Sequence, residues 1–168
     1  MTKITEPMTG ELRQEAATTK RVLERVPADK LTWKPHPKSM SLGQLALHVA
    51  TIPGGIAKIA QADEFDVSTA NFNFPPPNNT AEILAALESS VQGAEAYLSG
   101  LDNSAATRTW HMKRGDKEIF AMPRIAMLRM IMLSHWYHHR GQLSVYLRML
   151  DVPVPSIYGP SADDNPFV

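Results

Sequence analysis

The run His135-Trp136-Tyr137-His138-His139-Arg140-Gly141-Gln142 decides how this chain is read. Three of the six histidines fall in it, inside a longer stretch, Leu128 to Leu150, with helical apolar spacing. An imidazole is costly to bury unless its ring nitrogens meet a donor, an acceptor or a metal. With about 100° of turn per residue, Leu128, Met132, Trp136, His139, Leu143, Leu147 and Leu150 form one stripe. His139 lies in that stripe, and His135 lies about 40° from it, one turn earlier. His138 lies roughly 100° from His139, on the far side. His135 and His139 are therefore an inward i,i+4 pair, the spacing at which two imidazoles reach one metal from a single helix. His138 is expected to be exposed or at a subunit contact.

The same reading extends toward the N-terminus. Pro123 suits the first turn of this last helix, and Pro153 and Pro155 stop it after about Leu150. Before it, Thr109-Trp110-His111-Met112 and Glu118-Ile119-Phe120-Ala121 flank Lys113-Arg114-Gly115-Asp116-Lys117, a hairpin pattern. Asn79 with Glu82 is a capping box for a third helix from about Thr80 to Leu98, stopped by Gly100. Phe65 to Asn79, with Pro75, Pro76 and Pro77, reads as a stiff extended connection. Ser41 with Gln44 caps a second helix, from about Leu42 to Ala62, in which Pro53-Gly54 predicts a kink or break. A first amphipathic helix spans Gly10 to Val26. The loop Asp29 to Ser39 holds Pro35 and Pro37, and its Leu31 and Trp33 are expected to tuck onto the core. The expected fold is all-α: one domain over residues 1–168, a four-helix bundle of up-down-down-up type with a long crossover, and a short β-hairpin before the last helix.

The second helix offers His48 at the edge of its stripe Leu45, Val49, Ile52, Ile56 and Ile59. His48 lies about 60° from Leu45, an edge position like that of His135. His48, His135 and His139 together would make a three-nitrogen site with positions open to water or substrate, the catalytic rather than the structural pattern. The competing reading is three buried imidazoles that only hydrogen-bond. His36 and His111 read as surface or local packing residues, and Gln142 is assigned no role.

Composition narrows the function classes. Lys+Arg and Asp+Glu are both 17, so no basic balance points to nucleic acid. The 43% apolar and 20% charged residues are ordinary for a globular chain. There is no cysteine, so any metal is held by nitrogen and oxygen, and no disulfide or protein thiol is available. Met1 to Glu11 is polar, and the most apolar window, Ile119 to Leu133, is broken by Pro123, Arg124 and Arg129. Neither a signal peptide nor a membrane span is expected, and the default location is cytoplasmic.

The chain resembles the DinB/YfiT-like superfamily of metal-binding four-helix bundles. The resemblance rests on Leu31-Thr32-Trp33-Lys34-Pro35, on Ser41 to Ala50 around His48, and on Met122-Pro123-Arg124. It continues in the histidine run and in the tail Tyr158-Gly159-Pro160-Ser161-Ala162-Asp163. It implies a divalent metal, zinc or nickel, on His48, His135 and His139, and a homodimer. Relatives of this kind include enzymes that use a low-molecular-weight thiol as an S-transferase or isomerase cofactor. The leading expectation is a metal-dependent thiol S-transferase acting on small electrophiles, with a small-molecule ligand or thiol as partner and no catalytic residue assigned. A metal-dependent hydrolase and a non-catalytic metal-binding stress-response protein are the alternatives. Candidates for the pocket that holds the cofactor are Trp33, Arg140 and Tyr158, with Trp136 as a further wall residue. Met127, Met130, Ile131 and Val145 make the last helix apolar away from its stripe, which suggests either a dimer contact or central placement in a monomer.

Overall fold

The structure is a computed structural model that describes residues 2–71 and 75–167. It is mostly helical, with a small three-stranded sheet. Helix α1 spans Glu6–Leu23, α2 Leu42–Ile59 and α3 Thr80–Gly100. A short α4 spans Asn103–Thr107. The last helical stretch is α5, Arg124–Met127, then a π-helical segment Leu128–Ser134, then α6, His135–Met149. Helix α2 packs against α3 and against α6 with its π-helical lead-in; α1 packs against α3, α6 and α2.

The caps read from sequence form. Gln44 N–H donates to Ser41 Oγ and Ser41 N–H to Gln44 Oε1, at 3.2 and 2.9 Å. Glu82 N–H donates to Asn79 Oδ1 at 2.9 Å, and the Glu82 carboxylate accepts from Asn78 N–H. Helix α1 begins four residues earlier than its apolar period suggested, because Pro7 in its first turn is compatible with a helix start. It ends at Leu23, and Val26 is buried in the turn that follows.

Pro53-Gly54 does not break α2, which runs through both. The amide of Gly54 donates to Ser90 Oγ of α3 at 2.7 Å. A Cβ on Gly54 would stand 2.8 Å from Ser90 Cα, so glycine is what lets the two backbones meet. This hydrogen bond ties α2 to α3 at the turn that holds the proline.

The sheet departs from an all-α class. Strands β2 (Thr109–Arg114) and β3 (Lys117–Pro123) are the expected hairpin, closed over Gly115 at φ 57°. Strand β1 (Glu64–Asp66) pairs parallel with β2, Phe65 opposite Met112. The stretch read as a plain extended connection therefore opens with a strand and a 3₁₀ turn, Val67–Thr69. Parallel pairing with a partner 47 residues on (111 − 64) leaves no local mark in sequence. Phe72, Asn73 and Phe74 of that connection lie outside the described residues.

The core holds the stripe of the last helix. Leu128, Met132, Trp136, Leu143 and Leu147 are fully buried. Met127 and Leu133 are fully buried too, although a uniform wheel turned Met127 away. A π turn carries more residues per turn than an α turn, so residues before it shift in phase against residues after it. Ser134 Oγ donates to the Arg129 carbonyl five residues back, at 3.1 Å, within this segment. Among the described residues no helix is long and apolar enough to cross a membrane.

Candidate metal centre

The π-helical segment ends where the histidines begin. His135 is the first residue of α6, and His139 follows one turn later. Facing them on α2 is His48, the seventh residue after the Ser41 cap. The three imidazoles form one cluster, with ring centroids 5.2 Å apart for His48–His135, 4.6 Å for His48–His139 and 4.5 Å for His135–His139. One nitrogen from each lies within 4.8 Å of the others. All three rings are half-buried.

The donor set fits a metal. The Nε2 atoms of His48 and His135 are 3.4 Å apart. Two nitrogens each about 2.0–2.1 Å from a tetrahedral zinc stand about 3.4 Å apart, whereas an N–H···N hydrogen bond of that length is weak. His139 Nδ1 donates to Gln142 Oε1 at 2.7 Å, which leaves its Nε2 lone pair for the cluster. A hydrogen bond on the outer ring nitrogen is the usual way a ligating imidazole is held in one tautomer. The outer nitrogen of His135 is buried beside the Ile131 carbonyl without good hydrogen-bond geometry.

Burial also keeps these imidazoles neutral. Desolvation pushes His48 down to about 4, helped by His139 and His135 nearby. Desolvation lowers His135 and His139 as well, partly offset by the Ile131 carbonyl and by Gln142. Neutral imidazole is the form that donates a lone pair to a metal.

A cavity of about 250 Å³ opens beside His48 and His135. One face of α2 lines it with Thr51, Ile52, Gly55, Ile56 and Ile59. Phe65 of β1 and Ala70 stand on its other side, with Asn71. The sheet thus has a role at the site, since β1 carries a wall residue to α2. Sequence reasoning placed Ile56 and Ile59 on the core stripe; both are only partly buried because they face this cavity. The available signal was the continuation of that stripe past Pro53 on the His48 side of the helix.

The structure brings the three histidines together and places the pocket candidates elsewhere. Arg140 is fully buried and faces α1, where it pairs with Glu15 at 2.6 Å and donates to Thr19 Oγ1 at 3.0 Å and the Tyr158 hydroxyl at 2.6 Å. Tyr158 in turn donates to Glu15 at 3.0 Å, so its hydroxyl serves to hold the tail on α1. Trp33 packs edge-on against Tyr146, 5.7 Å between centroids. Trp136 is fully buried. None of these four lines the cavity. His138 is exposed, with its ring 4.9 Å from that of His139. His111 pairs with Glu118 across the hairpin at 2.7 Å, and His36 accepts from the Lys38 amide at 3.1 Å. Gln142, given no role from sequence, is the residue missed; its i,i+3 spacing from His139 was the signal.

A mostly helical fold with three convergent histidines between two helices defines a class: small helical proteins with a candidate metal centre. The chain belongs to the DinB family, whose model matches residues 1–165. It is 26% identical over 150 residues to the protein YrdA of Bacillus subtilis (strain 168), covering 89% of this chain and 85% of that one. A DinB-like protein from Bacillus cereus ATCC 10987 has a similar fold, with TM-score 0.66 and 21% identity over 86% of this chain and 91% of the other. The DinB-like protein YjoA from Bacillus subtilis is similar too, with TM-score 0.68 and 20% identity over 90% and 96% of the two chains.

Proposed function

We propose that this chain holds one divalent ion, zinc or nickel, on His48, His135 and His139, and uses it with a low-molecular-weight thiol as an S-transferase for small electrophiles. The observation that carries this reading is the convergence of three neutral imidazoles beside an apolar cavity. A divalent ion held there supplies Lewis acidity, which lowers the pKa of a thiol or water that reaches it. The chain's own residues do the rest. Gln142 fixes the tautomer of His139, and burial keeps protons off the imidazoles. Phe65, Ile52 and Ile56 keep water from the electrophile. The chain has no cysteine, so the sulfur comes from the small thiol. That sulfur forms the new S–C bond, its proton leaves to solvent, and the leaving group departs with the bonding pair.

A hydrolytic reading ranks lower. Neither a thiol nor a water finds a carboxylate general base among the described residues that line the cavity, and the apolar lining suits the body of an organic electrophile. A non-catalytic metal-binding role in stress response requires the same site without turnover. The same proposal includes an up-down-down-up bundle of α1, α2, α3 and the last helix, supported by their mutual packing, and a cytoplasmic homodimer. Met130, Val145 and Met149, all exposed on the last helix, favour the dimer; an apparent mass near 18.6 kDa at micromolar concentration would sink it.

Elemental analysis of untagged protein beside the triple variant His48→Ala, His135→Ala, His139→Ala tests the site. Near one equivalent of zinc or nickel in the wild type and none in the variant supports it. No metal after reconstitution with both ions removes it. Thiol-dependent turnover of an electrophile, lost in His139→Ala, then separates the S-transferase from the non-catalytic protein.

A further inference from the structure

We propose that the cavity beside His48 and His135 binds the uncharged, apolar body of a small organic ligand, an alkyl or aryl group of roughly ten non-hydrogen atoms, and rejects charged bodies of the same shape. This deepens the function proposed above, and rests on it for the idea that the ligand's reactive end lies toward the histidines.

The inference starts from the lining. Thr51, Ile52, Gly55, Ile56 and Ile59 recur at the i, i+1, i+4, i+5, i+8 positions that share one helix face, and Phe65 closes it from β1. Ile56, Ile59 and Phe65 are only partly buried, so the fold leaves apolar area open toward the cavity. Filling it removes that area from water. The polar inventory is short: Thr51, the Asn71 amide and the two imidazoles at the His48–His135 end, none of them a fixed charge. Thr51 Oγ already donates to the Leu47 carbonyl at 2.9 Å and lies 3.3 Å from that of His48. No Asp, Glu, Lys or Arg is among the described lining residues, so a charge placed in the body of the cavity would lose its hydration with no counter-charge. Size follows from volume: an apolar cavity of about 150 Å³ takes benzene, so one of about 250 Å³ takes a phenyl ring with a short chain.

The test is a matched series, 3-phenylpropan-1-ol, 3-phenylpropanoate and 3-phenylpropylammonium, titrated into the full chain as purified and after chelator treatment, and followed by ligand-observed NMR. The alcohol is expected to bind at least tenfold tighter than either ion to the chelator-treated protein. Ile56→Trp, which fills the cavity, and Phe65→Ala, which removes its β1 wall, are each expected to weaken the alcohol at least fivefold, with helix content and metal content unchanged. Equal binding of the ions to the chelator-treated chain overturns the proposal, as does alcohol binding indifferent to whichever of the two variants folds. The two readings fail separately. Selective alcohol binding in a chain that never takes up metal keeps the cavity and removes the metal function; metal uptake without selectivity does the reverse.

Discussion

His139 and Arg140 are adjacent in sequence and face opposite sides of α6. Arg140 goes to the α1 side, where Glu15, Thr19 and Tyr158 satisfy its guanidinium and the Tyr137 and Tyr158 rings flank it at 5.3 and 5.1 Å. His139 goes to the α2 side, where it meets two more imidazoles and no carboxylate among its described contacts. The first region is well paired: both terminal nitrogens of the buried guanidinium find acceptors, as a structural polar network requires. The second is left wanting. Three rings with lowered proton affinity share a half-buried space, and the outer nitrogen of His135 lacks a good partner. A helix can therefore carry a frame and a site on consecutive residues, one facing α1 and the other facing α2.

The sharpest way to break this contrast is to break the frame. Glu15→Ala would strand a fully buried guanidinium. Loss of one partner of a buried pair costs about 3–5 kcal/mol. The retained Thr19 and Tyr158 bonds put the expected loss near the lower end, about 3 kcal/mol by urea unfolding, with metal content unaffected. A loss below about 1 kcal/mol would mean the frame is not structural.

Gln142→Leu acts on the site and not on the frame. Gln142 is exposed, so the unfolding midpoint should not move. Metal affinity, read by competition with a chelator, should fall by about 10–100-fold, as for other outer partners of ligating histidines. Unchanged affinity would show that the Gln142–His139 bond holds nothing in place.

Acid sharpens the comparison further. In the unfolded chain the three histidines take up protons near pH 6.5. In the folded, metal-free chain they are depressed, His48 to about 4. Between those values the unfolded state binds more protons, so the cluster's effect is to reduce stability as pH falls from about 6.5 toward 4, and to leave it flat above about 7.5. Urea midpoints at pH 7.5, 6 and 4.5 for metal-free wild type, compared with the triple histidine variant, isolate that loss. Parallel pH profiles in the two chains would contradict it. The smallest effect belongs to His138→Ala: His138 is exposed, so metal content and unfolding midpoint should both stay within error, and loss of metal would add His138 to the ligand set.

Much of this was legible in sequence because helices are local. Ser41 with Gln44 and Asn79 with Glu82 announced two helix starts, since a cap involves residues three apart. The wheel of the last helix placed His135 and His139 on its inner side despite the π-helical segment, because that segment ends before His135. What failed was non-local. The β1–β2 pairing, and whether Met127 faces the core or a partner, depend on partners or phase shifts that no short window contains, and of the kink or break expected at Pro53 the break does not occur.

The sequence by itself determined which faces of α2 and α6 carry imidazoles and that no protein thiolate could join them, since periodicity and composition belong to the chain alone. Only the tertiary structure decided that His48 stands 3.4 Å from His135, 87 residues away, that Arg140 turns to Glu15, and that Phe65 closes a cavity beside the cluster. Local spacing sets the direction in which a side chain leaves its helix; what it meets there is set by how the helices pack.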